Sequence, residues 1–206
     1  MKNVKYEVEK RSKIEDSSQV ELVKAYLSEH GEFQGTKKMR SFLFQDPTFL
    51  RIRLIEGEDS ALVTMKKGKF TDPAMEEEEY RIPLTELDAF IEQKKVEGYE
   101  SCSEVNIFRE TYILNGLKVE ISDIDYLGMI IEIEALTDDK EEIENLEKRI
   151  RETMQELNLP ELDPTEYKEM MDVMQEETNR PVGEQDFSIK WDGRKVDGAD
   201  SQNKIR

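Results

Sequence analysis

The stretch "YEVEKR" at residues 6–11 sets Glu7, Glu9 and Arg11 at alternate positions, and an extended chain puts all three on one face. The device recurs along the chain. In "LRIRL" Arg51 and Arg53 share one face and Leu50, Ile52 and Leu54 the other. In "ALVTMKKG" the face with Leu62 and Thr64 reaches Lys66, and in "EEEEYRI" one face carries Glu77 and Glu79. Arg109 stands alone in "VNIFRET", and Glu132 and Glu134 alternate with isoleucines in "MIIEIEAL". Brought together, such groups have a shared chemistry: guanidinium and ammonium groups match phosphate oxygens, while clustered carboxylates hold hard divalent cations.

Period-2 patterns dominate the first two thirds of the chain and predict about eight strands. They run through "YEVEKRSKI", "GTKKMRSFLFQD", "FLRIRLIEGEDS", "ALVTMKKGKF", "EEEEYRIPL", "SEVNIFRETYIL", "LKVEISDI" and "MIIEIEAL". Asn115-Gly116 predicts a tight hairpin, because both residues accept positive φ. Helical spacing appears first in "SSQVELVKAYLSEHG", with Ser17 or Ser18 as the expected cap, and again after "TELD", a Thr-x-x-Asp capping pattern. Ile143, Leu146, Ile150, Met154 and Leu157 form the stripe of a third helix, and Asp163-Pro164 opens a fourth with Tyr167, Met170, Met171 and Met174.

For one strand, a charged face is an ordinary solvated surface. The set of strands implies more. Their apolar faces need covering, amphipathic helices are there to cover them, and a closed barrel would leave no exposed edge. The ionic faces would then meet inside. Burying that many charges in a dry core costs several kcal/mol per ion, so the barrel has to be a hydrated tunnel. Its expected basic residues are Arg11, Arg40, Arg51, Arg53, Lys66 and Arg109. The fold class expected is therefore α+β, an eight-stranded closed antiparallel barrel with helices packed outside, suited to a polyphosphate with bridging divalent metals.

The chain has 206 residues, enough for one substantial domain or one domain with an appendage. Residues 1–176 are expected to form the tunnel domain and 177–206 a polar tail, with Phe187, Ile189 and Trp191 of "DFSIKW" as a short docked strand. A net charge of −18 argues against a nucleic acid held by its phosphates, so no DNA partner is expected. One cysteine, Cys102, excludes an internal disulfide framework and fits a reducing compartment. No signal-peptide-like or membrane-spanning apolar run is present, which leads to a cytoplasmic expectation with no membrane partner. A homodimer stays open. His30 reads as a helix-end residue, Met170, Met171 and Met174 as helix packing, and Cys102 as inert for want of a histidine partner.

The ordered set Glu7-x-Glu9, "LRIR" at 50–53, Thr64-x-Lys66, Arg109-x-x-Tyr112, "LG" at 127–128, "IEIE" at 131–134 and "EY" at 166–167 resembles the CYTH superfamily, the triphosphate tunnel metalloenzymes, over residues 4–174. The resemblance implies an eight-stranded tunnel, a small-molecule triphosphate substrate and a Mg2+ or Mn2+ cofactor. Its members include thiamine triphosphatases, inorganic triphosphatases, RNA triphosphatases and class IV adenylyl cyclases. Carried over, it implies Glu7, Glu9, Glu132 and Glu134 as metal carboxylates, and Arg51, Arg53, Lys66 and Arg109 as phosphate ligands. Arg11 and Arg40 join these as substrate-binding residues, Glu7, Glu9, Arg11 and Glu134 are the expected catalytic set, and Glu77, Glu79 and Glu120 are additional acids. The expected function is a metal-dependent phosphohydrolase, the alternatives being a cyclase making cyclic AMP and pyrophosphate from ATP, or a nucleotide- or polyphosphate-binding module without turnover.

This chain departs from that pattern at three places. Arg11 stands where the family usually has Lys, Ile107 where a lysine is often found, and Ser122 where an aspartate is usual. Asp123 lies on the wrong face to replace that aspartate unless a bulge shifts the register, whereas Glu120 shares the face of Ser122.

Overall fold

The computed structural model describes residues 5–68, 74–185 and 187. Eight strands close into an antiparallel barrel: β1 (Lys5–Ile14), β2 (Glu32–Phe44), β3 (Leu50–Ile55), β4 (Ser60–Lys67), β5 (Met75–Pro83), β6 (Ser101–Leu114), β7 (Leu117–Ile124) and β8 (Gly128–Thr137). Around the barrel the order is β2-β3-β4-β5-β1-β8-β7-β6, and β6 returns to pair with β2. The helices are α1 (Ser17–His30), α2 (Leu87–Val96), α3 (Ile143–Glu156) and α4 (Pro164–Thr178). None is long and apolar enough to cross a membrane.

Strand alternation sorts the side chains into two populations. Outward-facing Val8, Val119, Ile121, Ile131 and Ile133 pack under α1 and α3, which contribute Val20, Val23, Leu27, Leu146, Ile150 and Met154. Across the barrel, Phe42, Phe44, Ile52, Leu54 and Val63 pack under Leu87 and Ile91 of α2. The hydrophobic core therefore lies between barrel and helices, outside the bore. Cys102 belongs to the second cluster, and burial pushes its thiol up to about 12, where it is inert.

A third apolar cluster differs in kind. Tyr167, Met171 and Met174 of α4 pack on Leu43, Val105, Ile124, Leu127 and Ile130, at the ends of β2 and β7, the first parts of β6 and β8 and the β7–β8 turn. This helix covers one end of the barrel. The methionines pack, as the sequence suggests, and two of them also face the bore.

Turns and caps follow the local sequence in part. Asn115 (φ 53°) and Gly116 (φ 75°) make the expected turn between β6 and β7. Asp163 caps α4 through Thr165 N, 2.7 Å away. The cap of α1 is Asp16, whose carboxylate accepts from Ser18 N at 2.8 Å, in place of either serine. Thr85 sits inside a 3-10 turn at Leu84–Glu86, so α2 starts after it without a side-chain cap.

Two features concern closure. Among the described residues, β1 pairs with β8 over nine residues and with β5 at Lys5, Tyr6 and Glu7. Beyond that short pairing, the Arg11 carbonyl accepts from Leu162 N at 2.7 Å, so the segment before α4 stitches the seam. A strand also lies earlier than "DFSIKW": β9 (Asn179–Pro181) pairs with Ser101–Ser103 of β6. Phe187 stacks on Phe42 at 4.4 Å, while Ile189 and Trp191 lie outside the described residues.

Candidate active site

The inner faces of the eight strands enclose a cavity of about 480 Å3. β1 supplies Glu7, Glu9 and Arg11, β3 supplies Arg51 and Arg53, β4 supplies Lys66, and β5 supplies Glu77 and Glu79. Arg109 comes from β6, Glu120 from β7, and Glu132 and Glu134 from β8. The alternation that gives each strand its apolar outer face gives the bore its ionic wall. Gln34, Lys37, Arg81, Lys118 and Leu136 also line the bore.

Arg40 is a correction. It faces out of the barrel with Phe42, its guanidinium carbon 5.4 Å from that ring, and bonds Glu104 at 2.9 and 2.5 Å. Parity explains the placement: Met39, Ser41 and Leu43 of β2 face the bore, so Arg40 faces away from it. The bore also holds Lys118, which the motifs did not single out although it shares the alternating face of Glu120.

Two ion-pair systems fill the acid-rich wall. In the first, Lys66 Nζ contacts Glu7, stands 3.4 Å from Glu9 Oε1 and lies 3.4 Å from Glu77 Oε2. In the second, Glu132 lies between Arg11 Nε and Arg109 Nη2, each 2.9 Å away. Arg11 Nη2 also meets Glu9 at 2.5 Å, and its guanidinium stacks on Tyr167. Arg109 Nη1 pairs with Glu120, and its Nε donates to Ser122 Oγ at 2.8 Å. Glu120 thus supplies an acid on the face of Ser122. The β7–β8 register runs without a shift through Asp123, which therefore stays on the opposite face.

Burial and pairing separate the carboxylates electrostatically. Burial, assisted by Glu9 and opposed by Lys66, lifts Glu7 to about 8. Burial lifts Glu134 to about 7, with Lys118 opposing and Glu120 assisting. Burial would raise Glu132 too, but Arg11 and Arg109 hold it down to about 2. Burial acts to lower Lys66, yet Glu9 and Glu7 raise it overall, so it stays an ammonium.

Glu7, Glu9 and Glu134 each present a carboxylate oxygen within 4.8 Å of the other two, a hard-oxygen donor set that fits an ion such as Mg2+ or Mn2+. Glu132 stands apart from that group, committed to two arginines. Arg51 and Arg53 differ from the other cations: among the described residues, their buried Nε atoms have no hydrogen-bond partner. Glu79 accepts from Thr64 Oγ1 at 2.9 Å. Ile107 lies in the apolar part of the bore, so no cation stands at that position.

The chain belongs to the CYTH domain family, which matches residues 5–166. Among solved structures, the protein PH1819 of Pyrococcus horikoshii OT3 superposes with a TM-score of 0.68 at 23% identity, covering 81% of this chain and 98% of that one. A candidate adenylate cyclase of Vibrio parahaemolyticus gives 0.62 at 19%, with coverage of 81% and 98%. HpAC1 of Hippeastrum, a candidate adenylyl cyclase with a dominant triphosphatase activity, gives 0.52 at 17%, with coverage of 76% and 89%. At these identities the likeness is one of fold. No curated protein matches the chain by sequence.

Proposed function

We propose that this protein is a metal-dependent enzyme acting on a triphosphate-bearing small molecule, and that it is a phosphohydrolase. The reading rests on one observation: a bore in which the cluster Glu7, Glu9 and Glu134 shares a cavity with Arg51 and Arg53, whose Nε donors have no partner among the described residues. Glu7, Glu9 and Glu134 would hold Mg2+ or Mn2+, which when bound neutralises phosphate charge and polarises phosphoryl oxygens. Arg51 and Arg53 bind the phosphate chain, and Lys66 and Arg109 supply further positive charge where it builds up during transfer. Phosphoryl transfer asks mainly for positioning and charge stabilisation, which these residues provide.

Arg11 binds and positions, and does not abstract a proton. Glu9 and Glu132 hold its guanidinium in the charged form, so water attacking the terminal phosphorus must lose its proton elsewhere. The cyclase reading keeps the same bore and needs the ribose 3′-hydroxyl to attack the α-phosphorus. Incubation with inorganic triphosphate, thiamine triphosphate and ATP, with Mg2+ or Mn2+, separates the two readings. Orthophosphate is the product expected. Cyclic AMP with pyrophosphate would replace hydrolase by cyclase, and binding without any product would leave a polyphosphate-binding module.

A further inference from the structure

β2 and β3 bring three unpaired donors to one patch of the bore. Their register sets Ser41 opposite Arg53 and Leu43 opposite Arg51. Among the described residues, Ser41 Oγ, Arg51 Nε and Arg53 Nε are buried and have no hydrogen-bond partner. Ser41 is 0% exposed and stands on the bore face. It is also flanked by β3 on one side and β6 on the other, so the neighbouring backbone groups are committed to two ladders. A buried hydroxyl left in that state costs about 1–3 kcal/mol.

An orphan hydroxyl alone is no signal. Ser12 and Ser103 are also buried without partners among the described residues, but Ser12 is on the outer face of β1 with Val8 and Ile14, and Ser103, opposite Leu43, lies outside the cavity lining. Ser41 differs by its neighbours, since a hydroxyl and two guanidinium N–H groups converge on one wall with nothing to bond. The remaining central cations are engaged: Lys66, Arg11 and Arg109 each contact two or more carboxylates.

We infer that Ser41, together with Arg51 and Arg53, forms a seat that takes one phosphoryl group without a metal ion, with Ser41 Oγ donating a neutral hydrogen bond. The inference rests on the triphosphate reading above and adds to it a residue and a metal-independent step of binding. A hydroxyl suits the position because it donates without adding charge beside two guanidinium groups. Its burden in the empty protein is the converse of its use, since a phosphate oxygen supplies the acceptor that the barrel does not.

The test titrates inorganic tripolyphosphate by calorimetry in EDTA and, separately, Mn2+ without phosphate. The wild type is expected to bind tripolyphosphate in EDTA. Ser41→Ala is expected to bind it roughly tenfold more weakly, as for loss of one bond to a charged group. The same variant should keep the wild-type Mn2+ affinity and melt at the same or a higher temperature, and Ser41→Thr should recover most of the tripolyphosphate affinity. Unchanged affinity in Ser41→Ala, a need for metal before the wild type binds at all, or an alanine variant that is less stable or fails to fold would each overturn the inference. A wild type that neither binds nor turns over any triphosphate with Mn2+ present overturns the functional reading, and the inference with it.

Discussion

The guanidinium of Arg11 lies over the ring of Tyr167, its central carbon 4.3 Å from the ring centroid. A residue of the first strand is thereby fixed by the helix that covers the bore, and its charge is shared between Glu9 and Glu132. Tyr167→Phe keeps the ring and is expected to leave triphosphate turnover within a few-fold of the wild type. Tyr167→Ala removes the stack and opens a void among the apolar residues under α4, with an expected loss of about 3 kcal/mol in chemical denaturation. An alanine variant as stable as the wild type would refute the packing assigned to α4.

Two glutamates on one strand should respond differently to the same substitution. Glu134→Gln removes a donor from the cluster with Glu7 and Glu9, and the Mn2+ concentration for half-maximal activity should rise tenfold or more. Glu132→Gln takes the charge from between Arg11 and Arg109, so its main expected effect is a stability loss of about 3 kcal/mol. Metal titrations and melting curves of both variants check the contrast. An unchanged metal titration in Glu134→Gln would count heavily against the carboxylate site.

The arginines separate by face. Arg51→Ala and Arg53→Ala should raise the KM for triphosphate tenfold or more, each removing a buried charged donor from the bore. Arg40→Ala breaks an outward pair with Glu104 and should leave KM unchanged while lowering stability by roughly 1 kcal/mol. Steady-state kinetics on the three variants decide the point.

Stability of the metal-free protein should be greatest in mild acid. Glu7 and Glu134 are raised in the folded state to about 8 and about 7, so the folded chain holds more protons than the unfolded one above their ordinary value of 4.5. Their contribution is full below that value and is lost as pH climbs towards 8. Glu132, lowered to about 2, acts in the opposite sense: its stabilisation is present above 4.5 and is lost as pH falls through its folded value. Melting temperature in EDTA should therefore drop from pH 5 to pH 8, and Mn2+ should recover more of it at the alkaline end. A flat profile in EDTA would contradict the burial of these acids.

Much of this was legible in the sequence because strand alternation is a strict code. Glu7, Glu9, Arg51, Arg53, Lys66, Glu132 and Glu134 all stand on the inner wall, where period 2 put them. Arg40 obeys the same code and faces outward, contrary to the expectation, since Phe42 and Phe44 on its own face belong to the outer core. Glu132 shares its face with Glu134, but pairing separates their roles, and pairing depends on which cations β1 and β6 deliver. Lys118 and Ser41 carried no motif, and the strand β9 is too short for periodicity to reveal. The helix caps went to Asp16 and to no side chain at α2, choices made by backbone geometry among adjacent polar residues.

The bond from Leu162 to the Arg11 carbonyl cannot form before the segment ahead of α4 has been made. Arg11 also reaches Glu132 across 121 positions of chain, so the first strand emerges long before its neighbours exist. A ribosome releasing this protein holds an open sheet whose first stave lacks its long-paired neighbour until β8 has emerged, and whose seam at Arg11 stays unstitched until Leu162 follows. In that interval Glu7, Glu9 and Arg11 keep one face of the stave wettable, while Val8 and Ile14 on the other face find cover in α1, the next element made.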